Sequence, residues 1–321
     1  MSTSPPASPQ SIDTSKSATT AFLQQVIPWF GSVVWIGILA VPLLLTSPLS
    51  PISYQTVFPA AWYEYDHSTD SPKPLGLSLG IITVAVGQVF VLIYFYLFKH
   101  GYFNYGGHFP ASIQTKGARE YEFQEGLFTH LAQPEGFVLL GLYLSVTWMM
   151  KWMPASYYSF EGGIQLYETF ACLVLQDGLQ YAMHRLEHVV SPTFYQKSHK
   201  PHHRFTNPRL FDAFNGSVTD TVVMILIPLI VTSRLIQTCN VWSYMAFGTL
   251  YANWLTLIHS EHVLPWDGVF RAIGFGTPGD HHVHHKFFKY NYGHLFMWFD
   301  QLCGTYKNPQ HFSRKAFTET A

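Results

Sequence analysis

The sequence predicts an all-α protein, an integral membrane bundle of about four to six helices that carries a histidine-rich, metal-binding cap on its cytosolic side. Three observations predict it. Only 12% of the 321 residues are charged and 48% are apolar, whereas an ordinary soluble domain is about 25% charged. No charged side chain occurs between Lys16 and Glu64, or between Lys73 and Lys99, so each gap can hold a bilayer span. Twelve of the 17 histidines fall between His184 and His294, most of them in short patterned groups.

Residues 1–20 are rich in Ser, Thr and Pro and contain no apolar run. They predict a disordered tail rather than a cleaved signal peptide. Residues 21–160 read as N-terminal membrane helices and 161–321 as the region that carries the histidine groups. A window of about 19 residues finds apolar stretches at Val26 to Leu45, Leu75 to Phe98, Gly136 to Met150, Tyr167 to Met183, Thr221 to Leu235 and Val241 to Ile258. The third and fifth are short for about 30 Å of hydrocarbon and also fit buried or re-entrant helices. The loop after the first span carries Glu64, Asp66, Asp70 and Lys73, whereas Lys99, Lys116 and Arg119 follow the second. That bias makes the first loop lumenal and the second cytosolic. Counting spans onward from there puts every histidine group on the cytosolic face.

Net charge is −1, which offers nothing to attract nucleic acid. Cys172, Cys239 and Cys303 make neither a C-x-x-C pair nor an even framework and read as free thiols.

The groups are "HRLEH" (His184, His188), "HKPHH" (His199, His202, His203), "HSEH" (His259, His262) and "HHVHH" (His281, His282, His284, His285). On a helix, His184 and His188 lie on one face and can share a metal. Asp177 and Tyr181 fall on the same stripe, where either could accept the other N–H of a ligating imidazole. A lone H-x-x-x-H more often marks a solvated helix end. A repeated H-x-x-H-H, however, is hard to obtain from solvated loops. Eight or nine imidazoles exceed what one four-coordinate zinc needs, so two metals sharing the set fit better. Imidazole suits Fe, Zn, Cu and Ni alike; iron is preferred because a redox metal has an obvious use beside lipid.

"DGLQYAMHRLEH", "HKPHHRFTNP", "HSEHVLPW" and "HHVHHKFFKYNYGHLFMWFDQLCGTY" resemble the fatty acid hydroxylase and sterol desaturase superfamily over about residues 165–307. The resemblance implies a multi-pass endoplasmic reticulum enzyme. It would hold a non-haem diiron centre under a cytosolic histidine cap, use O2, and take electrons ultimately from NAD(P)H through a separate cytochrome b5 or reductase. Carried over position by position, the metal ligands are His184, His188, His199, His202, His203, His281, His284 and His285, with His259 before Pro265 and Trp266 as a ninth. His262 and His282 are candidates for metal or for a supporting role, as are Asp177, Tyr181 and Asp280. Asp300 reads as a structural partner or one that supports a ligand, and so does Glu187, although its helix position points away from the ligand face. Many sterol-acting members carry H-P-x-E/D after the second histidine box, where this chain has "NGSVTD", Asn215 to Asp220. The "WFD" at Trp298 to Asp300 leans toward the C5-desaturase style.

"GFGTPG", Gly274 to Gly279, formally fits a dinucleotide loop but has no strand before it and runs into the last histidine box. It reads as a loop that aims Asp280 and the ligands. The expected activity is O2-dependent oxidation of a sterol or sterol precursor by desaturation, methyl hydroxylation or squalene-type epoxidation. Fatty-acyl or sphingoid-base hydroxylation is the alternative. From other classes, a zinc-dependent membrane hydrolase or a non-catalytic lipid-binding protein would differ in iron content and O2 requirement.

Overall fold

A computed structural model describes residues 33–64, 72–100, 112–114, 122–131 and 138–311. The expected tail at 1–20 and the beginning of the first expected span lie outside them. The described residues are helical with no strand. The main helices are α1 (Val33–Ile38), α2 (Ala40–Thr46), α3 (Pro74–Lys99), α4 (Leu139–Met149), α5 (Leu166–Val189), α6 (Val218–Leu235), α7 (Val241–Leu257) and α8 (Pro278–Phe287).

Helix α3 follows from its sequence: Pro74 opens the first turn, Lys99 closes the last, and no charge intervenes. Ile81, Ile82, Val89, Phe90 and Ile93 are exposed, while Leu79, Val91 and Phe95 are buried. Its buried side packs on α7 through a polar seam, where Gln88 donates to Asn253 Oδ1 (2.9 Å) and Thr256 Oγ1 (3.2 Å). Gly87 permits this approach, because a Cβ there would strike Thr249 and Asn253.

Cross-contacts fix the directions. Thr83 meets Met245 and Gln88 meets Asn253; Thr169 meets Ser243 and Asp177 meets Tyr251. Residue numbers rise together along α3, α5 and α7, so the three run parallel and bring their C-terminal ends to one side. Helix α6 returns, with Thr232 beside Gln176 and Asp220 beside His199. Helix α4 also returns, and Trp148 near its end donates to the Lys73 carbonyl at 3.0 Å. At the end away from the histidines, Trp242 and Asn240 tie the start of α7 to the carbonyls of Phe160, Glu161 and Gly163 at 2.7–2.9 Å.

Several expected spans change. The described part of the first is two short helices, because Pro42 lacks an N–H and its ring crowds the Ile38 carbonyl, where α1 stops. Two described helices are long and apolar enough to cross a membrane, Pro74–Lys99 and Val218–Leu235. The latter exceeds the expected Thr221 to Leu235 because Ser217 caps it a turn earlier and a π-helical segment, Val222–Leu226, continues it. The 11 residues of α4 reach only about 16 Å. Helix α5 is buried on one polar face and exposes Leu166, Tyr167 and Phe170, whereas α7 is interior. The former buries Gln176, Asp177 and Gln180, and the latter buries Trp242, Phe247 and Tyr251.

Candidate metal centre

Histidines converge where α5 and α7 end. Helix α5 contributes His184 and His188 one turn apart. Just beyond it Ser191 caps the start of a short helix, Pro192–Lys197. The chain then turns back through His199 into the helix Lys200–His203. His259 follows the last turn of α7. Helix α8 carries His281, His284 and His285; Thr277 caps it and Asp280 returns the bond to the Thr277 N–H. The loop expected to aim Asp280 does so through this capping box.

The nine candidate ligands divide into two groups. His184, His188, His199, His203 and His284 form one, and His202, His259, His281 and His285 the other; within each group the ring nitrogens lie within 4.8 Å of one another. The groups adjoin, with the rings of His203 and His285 4.8 Å apart.

Ring orientation is set from behind. His184 Nδ1 lies 2.7 Å from the Tyr292 carbonyl, His284 Nδ1 2.8 Å from that of Tyr290, His259 Nδ1 2.7 Å from that of Leu255 and His285 Nδ1 2.9 Å from that of Phe205. A carbonyl only accepts, so each Nδ1 must donate. A neutral ring then has only a lone pair at Nε2. His199 Nδ1 likewise faces Asp220 Oδ1 at 2.8 Å. Yet His184 Nε2 and His199 Nε2 are 2.9 Å apart, with no proton left to share between them. A cation relieves that lone-pair opposition. Imidazole nitrogens about 2.0–2.1 Å from one ion, at right angles to each other, are about 2.9 Å apart. The donor set therefore fits metal.

Electrostatics keep the rings available. Burial first, then neighbouring imidazoles, lowers His202 to about 4 and His188 to about 3. The same causes hold His184, His203, His259, His281, His284 and His285 well below the ordinary range. Neutral imidazole is the form that binds metal.

Each expected supporting residue has partners of its own. Asp177 accepts the N–H groups of Leu295 and Phe296 (2.8 and 2.9 Å) and the Tyr251 hydroxyl; two helical turns from His184 it is too far to reach the ring, and it pins the C-terminal segment instead. The Tyr181 hydroxyl meets Thr305 at 3.1 Å and Arg185 at 3.3 Å, again not a ligand. Asp280 serves the α8 cap and Arg271. Asp300 holds the N–H groups of Tyr292 and Gly293, and so steadies the carbonyl behind His184. His262 lies outside both groups against Phe95 and Phe98. His282 is also outside them and is buried, with Nδ1 2.9 Å from the Pro278 carbonyl.

Glu187 does not point away from the site. The Pro192–His203 segment folds over that side of α5, burying Glu187 completely, where it accepts from Ser198 and lies 3.7 Å from His199 Nδ1. Burial, then the Asp220 carboxylate, pushes it up to about 10. Asp220, the last residue of "NGSVTD", has no ligand spacing to mark it, yet it supplies the carboxylate behind His199. His294, in "NYGH", is likewise unmarked by spacing. Its ring stands 5.0 Å from that of His184 and 5.3 Å from that of His281, one from each group.

His294, His199, His202 and His259 line a cavity with Phe214, Thr221, Ile225 and Leu255 among its other walls. Those last four residues also line a larger apolar cavity between α3, α4, α6 and α7. No charged side chain lines this second space.

The chain matches the fatty acid hydroxylase family over residues 169–305. It is 68% identical over 300 residues to an alternative squalene epoxidase of Phaeodactylum tricornutum, covering 93% of this chain and 85% of that protein. It is 29% identical over 148 residues to a Delta(7)-sterol 5(6)-desaturase of Aspergillus fumigatus, 40% of this chain and 45% of the relative. It is 26% identical over 281 residues to human lathosterol oxidase, 81% and 83% of the two chains. No solved structure matches it.

Proposed function

This chain belongs to the fatty acid hydroxylase and sterol desaturase superfamily and is an oxidoreductase, and from that premise we propose that it epoxidises squalene at a non-haem diiron centre. The observation that carries the proposal is the apolar cavity that shares its walls with the histidine-lined one. A fatty-acyl or sphingoid substrate brings a polar or charged head that needs a partner, and this cavity provides no charge. Its hydroxyls at Thr147, Thr221 and Tyr251 already donate to protein acceptors, and the buried Tyr244 hydroxyl lies against that of Tyr143. A hydrocarbon polyene asks for neither. The 68% identity to an alternative squalene epoxidase supports the same substrate.

The ligands would be the nine histidines, with His294 between the two groups. When bound, iron would supply O2 activation. The balance is that one oxygen atom adds across a C=C bond while the other leaves as water, taking up two electrons and two protons. The electrons come from NAD(P)H through a separate cytochrome b5 or reductase. The chain's own contribution is positional. Main-chain carbonyls and Asp220 hold the rings in one tautomer, Asp177 and Asp300 pin the segment that carries Tyr292 and His294, and the apolar walls keep water from the reacting carbon.

We place the bundle in the endoplasmic reticulum membrane with the histidine end toward the cytosol. Exposed Arg185, Lys197, Lys200, Arg204, Lys289 and Lys307 at that end support this orientation. The test is to supply squalene, labelled O2, NAD(P)H and a reductase system to membranes containing the protein. Labelled squalene epoxide is expected, with iron retained in the protein. Activity that survives without O2, or that follows zinc, sinks the proposal.

A further inference from the structure

The apolar cavity has a floor and two bare walls. It begins at Leu255, whose carbonyl anchors His259, and it runs beside α7 to Val241, about 21 Å along the helix. At its far end lies Trp148. This ring is 6% exposed. Its Nε1 donates to the Lys73 carbonyl at 3.0 Å, and Tyr158 packs edge-on at 4.7 Å. It also covers Gly76, where a Cβ would collide with it. A ring held on three sides makes a fixed floor.

The glycines around the cavity are of two kinds. Gly76 is a packing glycine, as Gly87 is elsewhere on α3, since a Cβ at either would strike a neighbouring side chain. Gly80 on α3 and Gly248 on α7 both line the cavity, and a Cβ at either would meet nothing within 4 Å. The room they leave belongs to the cavity, not to helix packing.

Resting on the reading of this site as an oxidase of a linear polyene, we propose that the cavity seats the substrate lengthwise, with Trp148 setting its depth and Gly80 and Gly248 leaving open the stretch between that floor and the histidine end, which only a longer chain must enter. Together these residues select chain length and present the chain terminus to the histidines. None of the three touches the metal ligands.

The experiment compares the full-length wild type with the variants Gly248→Leu, Gly80→Leu and Trp148→Ala, each given squalene, a shorter linear isoprenoid polyene and a longer one. Metal content and thermal midpoint are measured alongside. Added bulk in an apolar pocket discriminates by on the order of tenfold or more. Both leucine variants should lose about that much turnover on squalene relative to the shorter polyene, at wild-type metal content. Trp148→Ala should shift preference toward the longer one. If that variant does not fold, the leucine variants carry the test, because their side chains enter open space. Unchanged chain-length ratios in the leucine variants overturn the inference and leave squalene epoxidation standing, as does equal loss on every chain length. A wild type inactive on all linear polyenes overturns the functional reading and this inference with it.

Discussion

The two histidine groups look alike in sequence and differ in what stands behind them. In the five-membered group, His199 rests on the Asp220 carboxylate at 2.8 Å, with buried Glu187 close by, and His188 reaches a half-buried position beside Tyr195. In the four-membered group every ring is buried, and the Nδ1 anchors found are main-chain carbonyls of Asn215, Leu255 and Phe205. A carboxylate behind an imidazole raises its donor strength and offsets part of the ion's charge; a carbonyl supplies only a dipole. Two metals bound here would therefore be unequal, the one in the five-membered group being held more tightly.

The largest expected effect comes from removing one ligand from each group. His284→Ala and His259→Ala should each abolish product formation, about a hundredfold or more, while protein still accumulates in membranes. Metal analysis then separates the groups, because each variant should lose the ion of its own group first. Retained turnover in either variant removes that residue from the site.

Asp220→Asn tests the inequality directly. The amide oxygen can still accept from His199, but the charge is gone, and metal affinity should fall about tenfold to a hundredfold in the five-membered group alone. An equal fall in both groups would break the comparison.

Acid should unfold the metal-free protein. Unfolded imidazoles take up protons near 6.5, whereas burial holds His202 at about 4 and His188 at about 3. Between those values the unfolded state binds more protons, so stability is full above about 6.5 and is lost as pH falls toward 4. Each such group contributes up to about 1.4 kcal/mol per pH unit, less for half-buried His188. A thermal midpoint flat across that window would count against neutral buried rings.

The smallest effect belongs to His282. His282→Gln keeps a polar group near the Pro278 carbonyl and touches neither metal group, so product formation should stay within a few-fold of wild type. His281→Gln should instead lose nearly all of it. Parity between the two variants would place His282 in the site.

Spacing made much of this centre legible. Histidines three and four residues apart share a helical face, so the H-x-x-x-H and H-x-x-H-H patterns picked out eight of the nine candidate rings without any tertiary information, and the family resemblance added His259. The same periodicity misled at Asp177 and Tyr181. A shared stripe gives direction but not reach, and both side chains found partners in the 292–305 segment first. It misled again at Glu187, because the helical wheel of α5 does not know that the following chain folds over its back. Asp220 and His294 had no local pattern, and both follow a histidine box closely but reach the rings through turns that helical spacing does not encode.

The sequence by itself determined the helical class, the apolar rods, the candidate ligand rings and the family resemblance, since these depend on residue type and short-range spacing. Tertiary structure alone decided how the rings divide into five and four, which oxygens hold six of the rings from behind, and that an apolar cavity reaching Trp148 shares walls with the one they line. Those features arise where α3, α5 and α7 run parallel and end together, and contacts between residues tens to hundreds of positions apart have no signature in local spacing.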